Sequence, residues 1–161
     1  MTNIVPLETL FALPPRQRLM GLDLGTRTIG LAISDIERRI ATALETVRRT
    51  KFTADAARIL ELVRQHDVGG FVIGLPLNMD GSEGPRVQAT RAFMRNMAPL
   101  TPLSFVLWDE RLTTVAVTRT LLEADASRAR RNQLVDKLAA AYILQGVLDR
   151  MAYIGQGDAY R

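Results

Sequence analysis

The chain has 161 residues, of which 47% are hydrophobic and 24% are charged, and its formal net charge is +4. This balance is typical of one core-forming globular domain and excludes an intrinsically disordered chain. The sequence contains no cysteine, which excludes a disulfide framework, a thiolate metal site and a cysteine nucleophile.

Residues 1–18 are rich in proline and show no hydrophobic period, which predicts a flexible N-terminal arm outside the core. The segment lacks the basic start of a signal peptide, and no apolar run in the chain is long enough to span a bilayer. We therefore expect a cytoplasmic protein without membrane association, with one domain over residues 19–151 and a tail over residues 152–161.

Three strands are predicted next, at residues 19–24, 28–34 and 43–47, because each segment is rich in β-branched and aliphatic residues. The connection "GTR" between the first two strands is short enough for a hairpin, so this pair is expected to be antiparallel. Thr53 is a candidate N-cap for a helix whose apolar residues recur at helical spacing.

The pattern then alternates between strands and helices. "GGFVIGLP" reads as a strand covered on both faces, and "LSFVLW" reads as the last strand, with a helix from residue 83 between them. The inner side of that helix is expected to hold Val87, Thr90, Met94 and Met97. Two more helices are predicted at residues 114–124 and 132–150, joined by the basic spacer "DASRARRN" as a mobile loop. This order indicates an α/β fold in which helices flank a five-stranded mixed sheet.

Asp23 stands in the middle of the first predicted strand. Because side chains alternate along a strand, Asp23 shares its face with Gly21 and Gly25, which leaves room for a metal ion or a phosphate. Burial of a carboxylate without a partner would cost several kcal/mol of folding free energy, so Asp23 is expected to have a polar or cationic partner. The alternative is an ordinary turn aspartate beside glycines.

Glu110 follows the last predicted strand, where a chain that leaves a sheet presents polar side chains at the edge of an α/β fold. Asp109 is its rival, but a period of two directs these neighbours to opposite faces, so at most one of them meets Asp23. The alternative role for this acidic pair is to stabilise the start of a helix.

Asp136 lies near the start of the last predicted helix, with Ala139 and Ala140 one turn away. These small residues would let the helix pack closely on the sheet and bring Asp136 near Asp23. The alternative is a surface aspartate beside Lys137. Three carboxylates gathered in this way are oxygen ligands suited to Mg²⁺ or Mn²⁺, which can promote phosphodiester hydrolysis.

Four segments resemble, in order and spacing, the signature blocks of the YqgF family of Holliday junction resolvase-like nucleases. They are "MGLDLGTRTIGLAISD", "VIGLPLNMDGSEGPRV", "WDERLTTVAV" and "VDKLAAAYILQGVLD", which together cover about residues 19–150. The resemblance implies a ribonuclease H-like fold and a role in trimming the precursor of small-subunit ribosomal RNA. It therefore implies nucleic acid, and possible ribosomal particles, as partners.

By motif, the resemblance implies that Asp23, Glu110 and Asp136 are the catalytic and metal-binding acids. One departure concerns Gly74, because better-known resolvase relatives have their second carboxylate at the end of this strand. Glu110 is expected to replace that carboxylate from the neighbouring strand.

The resemblance also directs attention to side chains that could contact nucleic-acid phosphates. In the loop "PLNMDGSEGP", the candidates are Asn78, Ser82 and the nearby Arg86, although an ordinary Gly and Pro loop is the alternative. Beside the candidate acids, and in the basic spacer, the candidates are Arg111, Thr113, Thr114, Lys137, Arg128, Arg130 and Arg131.

Two other classes of function remain open at this stage. "DLGTRTIGLAIS" also resembles the phosphate loop of the actin and Hsp70 ATPases, but those proteins use two such domains and this chain has one copy of the motif. A binding module for ribosome assembly or transcription is the other class. Within the nuclease class, a precursor rRNA is favoured over a branched DNA junction, and both a monomer and a homodimer are compatible with the sequence.

Overall fold

The computed structural model describes residues 3–112 and 128–159, with the side chains of residues 3–112 and 137–155. The strands are β1 Arg18–Leu24, β2 Thr28–Ser34, β3 Ala41–Arg48, β4 Val68–Leu75 and β5 Phe105–Asp109. The helices are α1 Phe52–His66, α2 Pro85–Met97 and α3 Arg128–Ala159. Short 3-10 helices cover Leu7–Ala12, Ala98–Leu100 and Glu110–Leu112. Within this described part, no helix is both long enough and apolar enough to cross a membrane.

The strands form one mixed sheet in the order β3-β2-β1-β4-β5, which confirms the predicted five-stranded sheet. The pairs β1/β2 and β2/β3 are antiparallel, whereas β1/β4 and β4/β5 are parallel. All strands except β2 therefore run in one direction. They end at a common edge, which we call the carboxyl edge and which is marked by Leu24, Arg48, Leu75 and Asp109.

Each face of the sheet has its own apolar core. Met20, Leu22 and Leu24 of β1 pack in the core that also contains residues of α1 and α2. Leu19 belongs to the opposite core, together with residues of α3. Because successive side chains of a strand point to opposite faces, Asp23 lies on the face covered by α3.

The N-terminal segment corrects one expectation. Leu10 is only 2% exposed and belongs to the α3-side core. The backbone of Val5 donates to the oxygen of Phe105 at 2.9 Å, and Phe105 donates to the oxygen of Asn3 at 2.7 Å. Placing residues 1–18 outside the core was wrong, because the edge strand β5 offers backbone groups to which an extended chain can bind even without a hydrophobic period.

Two local predictions are also corrected. Thr53 is not the N-cap of α1, because the helix starts at Phe52 and the carboxylate of Asp55 accepts a hydrogen bond from the Thr50 backbone at 3.1 Å. The spacer is not a loop from Arg128 onwards, since α3 begins there. Arginine and alanine are good helix formers, so the run "RAR" continues a helix readily.

Other predictions on the helices have different outcomes. The predicted inner side of α2 is confirmed, because Val87, Thr90, Met94 and Met97 are all buried. The helix predicted at residues 114–124 lies outside the described residues. The helix α3 runs through Ala159 and so includes most of the segment that was predicted to be a tail.

Candidate active site

Asp23 is 3% exposed and lies on the central strand, between two glycines of the neighbouring strands. In β2 it pairs with Gly30. In β4, Ile73 pairs with Leu22, so the next position beside Asp23 is Gly74. Because both neighbours are glycines, no side chain at these two positions of β2 and β4 lies beside the Asp23 carboxylate on the face covered by α3.

The helix α3 packs directly on the strand that carries Asp23. A Cβ atom added to Gly21 would lie 2.8 Å from the backbone oxygen of Ala140 and 2.8 Å from the Cβ atom of Leu144. Ala139 and Ala140 are both buried against the sheet. The close packing expected from these small residues is thus observed.

The carboxylate of Glu110 lies over Gly74. A Cβ atom at residue 74 would be 2.8 Å from Oε1 of Glu110, and it would be 2.5 Å from Cδ1 of Ile143 in α3. Neighbouring strands are about 4.8 Å apart, so Glu110 reaches the position next to Asp23 on the same face of the sheet. Glu110 thus approaches this position from the end of β5, and its role in place of an acid at residue 74 stays a prediction.

Asp109 is engaged elsewhere. Its carboxylate accepts a hydrogen bond from Nη2 of Arg111 at 2.7 Å and another from the backbone nitrogen of Arg111 at 3.0 Å. The hydrogen bond from the Arg111 side chain holds the pKa of Asp109 below its usual value. Asp109 thus has the helix-start role that was the alternative for this acidic pair, whereas Glu110 lies over the sheet.

The loop after β4 is held by its own polar groups and by Arg111. Nδ2 of Asn78 donates to Oγ of Ser82 at 3.0 Å, and the Ser82 hydroxyl donates to Asp80 at 2.6 Å. This hydroxyl lowers the pKa of Asp80. Nη1 of Arg111 donates to the oxygen of Met79 at 3.3 Å, which joins the ends of β4 and β5. For Asn78 and Ser82, the described contacts are those of an ordinary ordered loop.

The remaining predicted residues fall into two groups. Arg86 is exposed near the start of α2 and Lys137 is half-buried in α3, and neither forms an ion pair with a described residue. Asp136, Arg128, Arg130 and Arg131 belong to α3 by their backbone only, and Thr113 and Thr114 lie outside the described residues. Among the side chains that the structure describes, no group of three His, Cys, Asp or Glu residues could hold a metal ion.

The fold brings three further arginines to the carboxyl edge, namely Arg27, Arg48 and Arg49, which are not among the phosphate-contacting candidates chosen from the sequence. The pair "RR" at residues 48–49 follows a predicted third strand of a meander. In such a meander the third strand ends at the same edge as the first, so this signal was present in the sequence.

Comparison with solved structures shows the class of fold. Chains of Thermus thermophilus RuvC, one of them in complex with a Holliday junction substrate, align with a TM-score of 0.52 at 17% sequence identity. The alignment with the RuvC of that complex covers 84% of this chain and 96% of the RuvC chain. The sheet and its helices thus form a ribonuclease H-like fold of the RuvC type, as predicted.

Comparison of sequences shows the family. The family model described as "RuvX: Holliday junction resolvase" matches residues 17–150. A protein of Beijerinckia indica is 66% identical over 154 residues, which is 95% of this chain and 93% of that protein. A protein of Rhizobium leguminosarum bv. trifolii is 56% identical over 158 residues, or 98% and 97% of the two chains. Both carry the name "Putative pre-16S rRNA nuclease". This chain belongs to the RuvX family, for which YqgF is the other name, and the predicted assignment to a family of nucleases is confirmed.

Proposed function

We propose that the protein is a metal-dependent nuclease that hydrolyses phosphodiester bonds in precursor 16S rRNA in the cytoplasm. The observation that carries this proposal is the Glu110 carboxylate over Gly74, on the same face of the sheet as the buried Asp23. Relatives that share more than half of their residues with this chain are named for that substrate, which supports the choice of RNA.

The chemistry of the site fits a hard divalent ion. Asp23 and Glu110 offer carboxylate oxygens, which Mg²⁺ and Mn²⁺ prefer as ligands. Gly30 and Gly74 have no side chains, so no side chain of β2 or β4 at these two positions comes between the acids. These features support a metal site at this position.

Asp136 is proposed as the third acid. It lies four residues before Ala140 and seven before Ile143, and by helical periodicity these three positions share one side of α3. Ala140 contacts the sheet at Gly21, and Ile143 contacts it at Gly74. The register of the helix thus supports a role for Asp136 beside the two acids of the sheet.

When bound, Mg²⁺ or Mn²⁺ supplies an activated water and stabilises the leaving oxygen. The residues of the chain hold the ion and orient the reacting groups. Asp23 is buried in a central strand under α3, and this packing restricts the movement of its carboxylate before substrate binds. Glu110 belongs to the short 3-10 helix that follows β5, so it approaches Asp23 from the carboxyl edge of the sheet.

Other side chains are proposed to contact the substrate phosphates. The set comprises Asn78, Arg86, Arg111, Thr113, Thr114, Arg128, Arg130, Arg131 and Lys137. Asp109 partly neutralises the charge with which Arg111 is proposed to contact phosphate, whereas Arg86 has no ion pair with a described residue. A net charge of +4 favours a polyanionic partner, such as precursor rRNA within a ribosomal particle.

Cleavage of a branched DNA junction is the second candidate function. It is favoured by the description of the matching family and by the fold shared with RuvC. Symmetric junction cutting requires two sites in a homodimer, whereas trimming of an RNA requires only one site in a monomer.

The test is incubation of the purified protein with precursor 16S rRNA and with a synthetic four-way DNA junction, with Mg²⁺, with Mn²⁺ and with a chelator. We expect metal-dependent cleavage of the RNA. The variants Asp23→Asn, Glu110→Gln and Asp136→Asn should each lose at least 100-fold in rate, by the scale of other residues that stabilise reacting charge.

Asp109→Asn is the matched control for Glu110, because its carboxylate is bound to Arg111 instead, and it should keep most of the activity. Preferred cleavage of the junction would assign the protein to the second function. Equal cleavage by wild type and Asp23→Asn, with no divalent metal bound, would reject both nuclease functions and favour a binding module.

A further inference from the structure

A group of basic residues lies at the carboxyl edge, on the β3 side of Asp23. Arg27 is in the turn between β1 and β2, Arg48 is the last residue of β3, Arg49 follows it, and Lys51 directly precedes α1. We call these four residues the β3-end cluster. No residue of the cluster belongs to the set proposed above for substrate contacts.

The sheet register places Arg48 on the face of the candidate active site. Asp23 pairs with Gly30, and Gly30 pairs with Thr46, so these three residues form one row across the sheet. Arg48 is two positions beyond Thr46 and pairs with Thr28. Its Cα atom is therefore about 10 Å across the strands and about 7 Å along them from Asp23, a distance that substrate bound at the acids would span.

The neighbours of Arg48 confirm which face it occupies. Val47 is buried in the core that contains residues of α1 and α2. Glu45 accepts hydrogen bonds from Arg58 of α1 at 2.6 and 2.8 Å. Since side chains alternate along the strand, Thr46 and Arg48 lie on the opposite face, which α3 and Asp23 share.

Among the side chains that the structure describes, none pairs as a counter-charge with the cluster. Other arginines are neutralised within the protein: Arg58 by Glu45, Arg91 by Glu83 and Arg111 by Asp109. No member of the β3-end cluster forms a salt bridge with any residue whose side chain the structure describes. Arg27, Arg48 and Lys51 are exposed, so their repulsion can be relieved by an external polyanion.

The cluster is held in place by hydrogen bonds to the turn that follows Asp23. Nη1 of Arg49 donates to the oxygen of Gly25 at 2.6 Å. The backbone nitrogen of Arg49 donates to the oxygen of Arg27 at 2.8 Å. The end of β3 and the β1–β2 turn thus form one unit, which lowers the entropy that these cations lose when they bind a ligand.

We propose that the β3-end cluster binds the phosphodiester backbone of the nucleic-acid strand on the β3 side of the bond that is cut. This inference rests on the proposed function, because it takes the carboxylates as the point of cleavage. The ligand chemistry is the phosphate backbone, which RNA and DNA share.

The test compares two variants that lose the same charge. The first is Arg27→Ala/Arg48→Ala/Lys51→Ala, in which Arg49 is kept because it holds the turn. The second is Arg16→Ala/Arg64→Ala/Arg95→Ala, whose three residues are exposed, form no ion pair with a described residue and lie away from the carboxyl edge. Affinity for a single-stranded RNA and for a four-way DNA junction is measured with a chelator present, from 50 to 200 mM salt.

The first variant should bind at least tenfold more weakly than wild type. Its plot of log affinity against log salt concentration should be flatter by about two, since each lost phosphate contact reduces the slope by about 0.7 to 0.9. The control variant should stay within about threefold of wild type. Restoring charge with Arg27→Lys/Arg48→Lys, and leaving Lys51 in place, should recover most of the affinity.

Equal affinities and slopes for the first variant and the control would overturn the inference, as would a wild-type protein that binds neither probe. A loss for RNA alone identifies RNA as the ligand, and a loss for both probes identifies the backbone that they share. Because binding is measured without metal, the result is independent of the cleavage assay with Asp23→Asn. Melting temperatures of both variants verify that they are folded.

Discussion

At the scale of single residues, the absence of a side chain at Gly74 leaves the space that the Glu110 carboxylate occupies. The space above it is filled by Glu110 and by Ile143 of α3, both of which would be contacted by a Cβ atom at this position. The absence of a side chain at residue 74 and the position of the Glu110 carboxylate are thus parts of one packing arrangement. Addition of a single methyl group should disturb it.

We therefore expect Gly74→Ala to weaken Mn²⁺ binding and cleavage by at least tenfold, because the added Cβ atom displaces the Glu110 carboxylate. Titration calorimetry and the RNA assay measure the two effects. Gly70→Ala is the control in the same strand, since its nearest contact is the flexible end of Leu19 at 3.3 Å and no acid lies near it. Equal metal affinity for both variants would show that the Glu110 carboxylate has no part in the site.

At the scale of elements, the segment before β1 contributes to the core although its sequence has no period. Leu10 lies in the short helix Leu7–Ala12, and its side chain is packed in the same core as residues of α3. Its neighbour Phe11 is 47% exposed. Burial within this segment is therefore confined to particular residues.

Leu10→Ala should lower the free energy of unfolding by about 2 to 5 kcal/mol, as for other leucines truncated in a core. Phe11→Ala removes a larger side chain but should cost less than about 1 kcal/mol, because much of that side chain is already in water. Urea denaturation of both variants measures the difference. Similar small losses would mean that the segment is not docked in solution.

Sequence patterns predicted those elements whose buried residues recur at a regular spacing along the chain. The inner side of α2 has a helical period, and the strand "GGFVIGLP" is continuously apolar, so both were predicted from sequence. The docking of Leu10 depends on a core built from distant residues, and no local pattern shows it. The start of α3 at Arg128 was missed for a related reason, since polar residues conceal a helix whose only signal is propensity.

The candidate site, too, could be predicted from the sequence only in part. The alternation of neighbours after β5 predicted that Asp109 and Glu110 diverge, and in the structure Asp109 binds Arg111 whereas Glu110 lies over Gly74. The role of Glu110 in the site stays a prediction. The pair "RR" at residues 48–49 indicated basic residues at the carboxyl edge, but the face on which Arg48 lies required the register of three strands, which a sequence alone does not give. Asp136 stays a prediction, because the structure describes its backbone only.

At the scale of the whole molecule, a metal that binds only the folded state should stabilise the protein against unfolding. At a Mn²⁺ concentration 100 times the dissociation constant, the gain is about 2.7 kcal/mol. We expect the melting temperature of wild type to rise with Mn²⁺ and that of Asp23→Asn to stay unchanged.

Without metal, the two proteins should melt within a few degrees of each other, because relief of repulsion between carboxylates offsets the hydrogen bonding that the variant loses. Differential scanning calorimetry in chelator and in Mn²⁺ supplies both comparisons. A rise of equal size in wild type and variant would place the ion elsewhere on the molecule.

Because β1, β3, β4 and β5 run in the same direction, the carboxyl edge and the opposite end of the sheet are two distinct ends of the molecule. This difference can be used to orient the protein on a surface. Gln65 is exposed in the last turn of α1, just before β4 begins, and so lies at the end of the sheet opposite to Asp109. Because the chain has no cysteine, Gln65→Cys would provide a unique thiol for attachment. A protein tethered to a glass surface through that thiol would turn its carboxyl edge towards the solution, so that single molecules of RNA or junction DNA could be followed as they arrive.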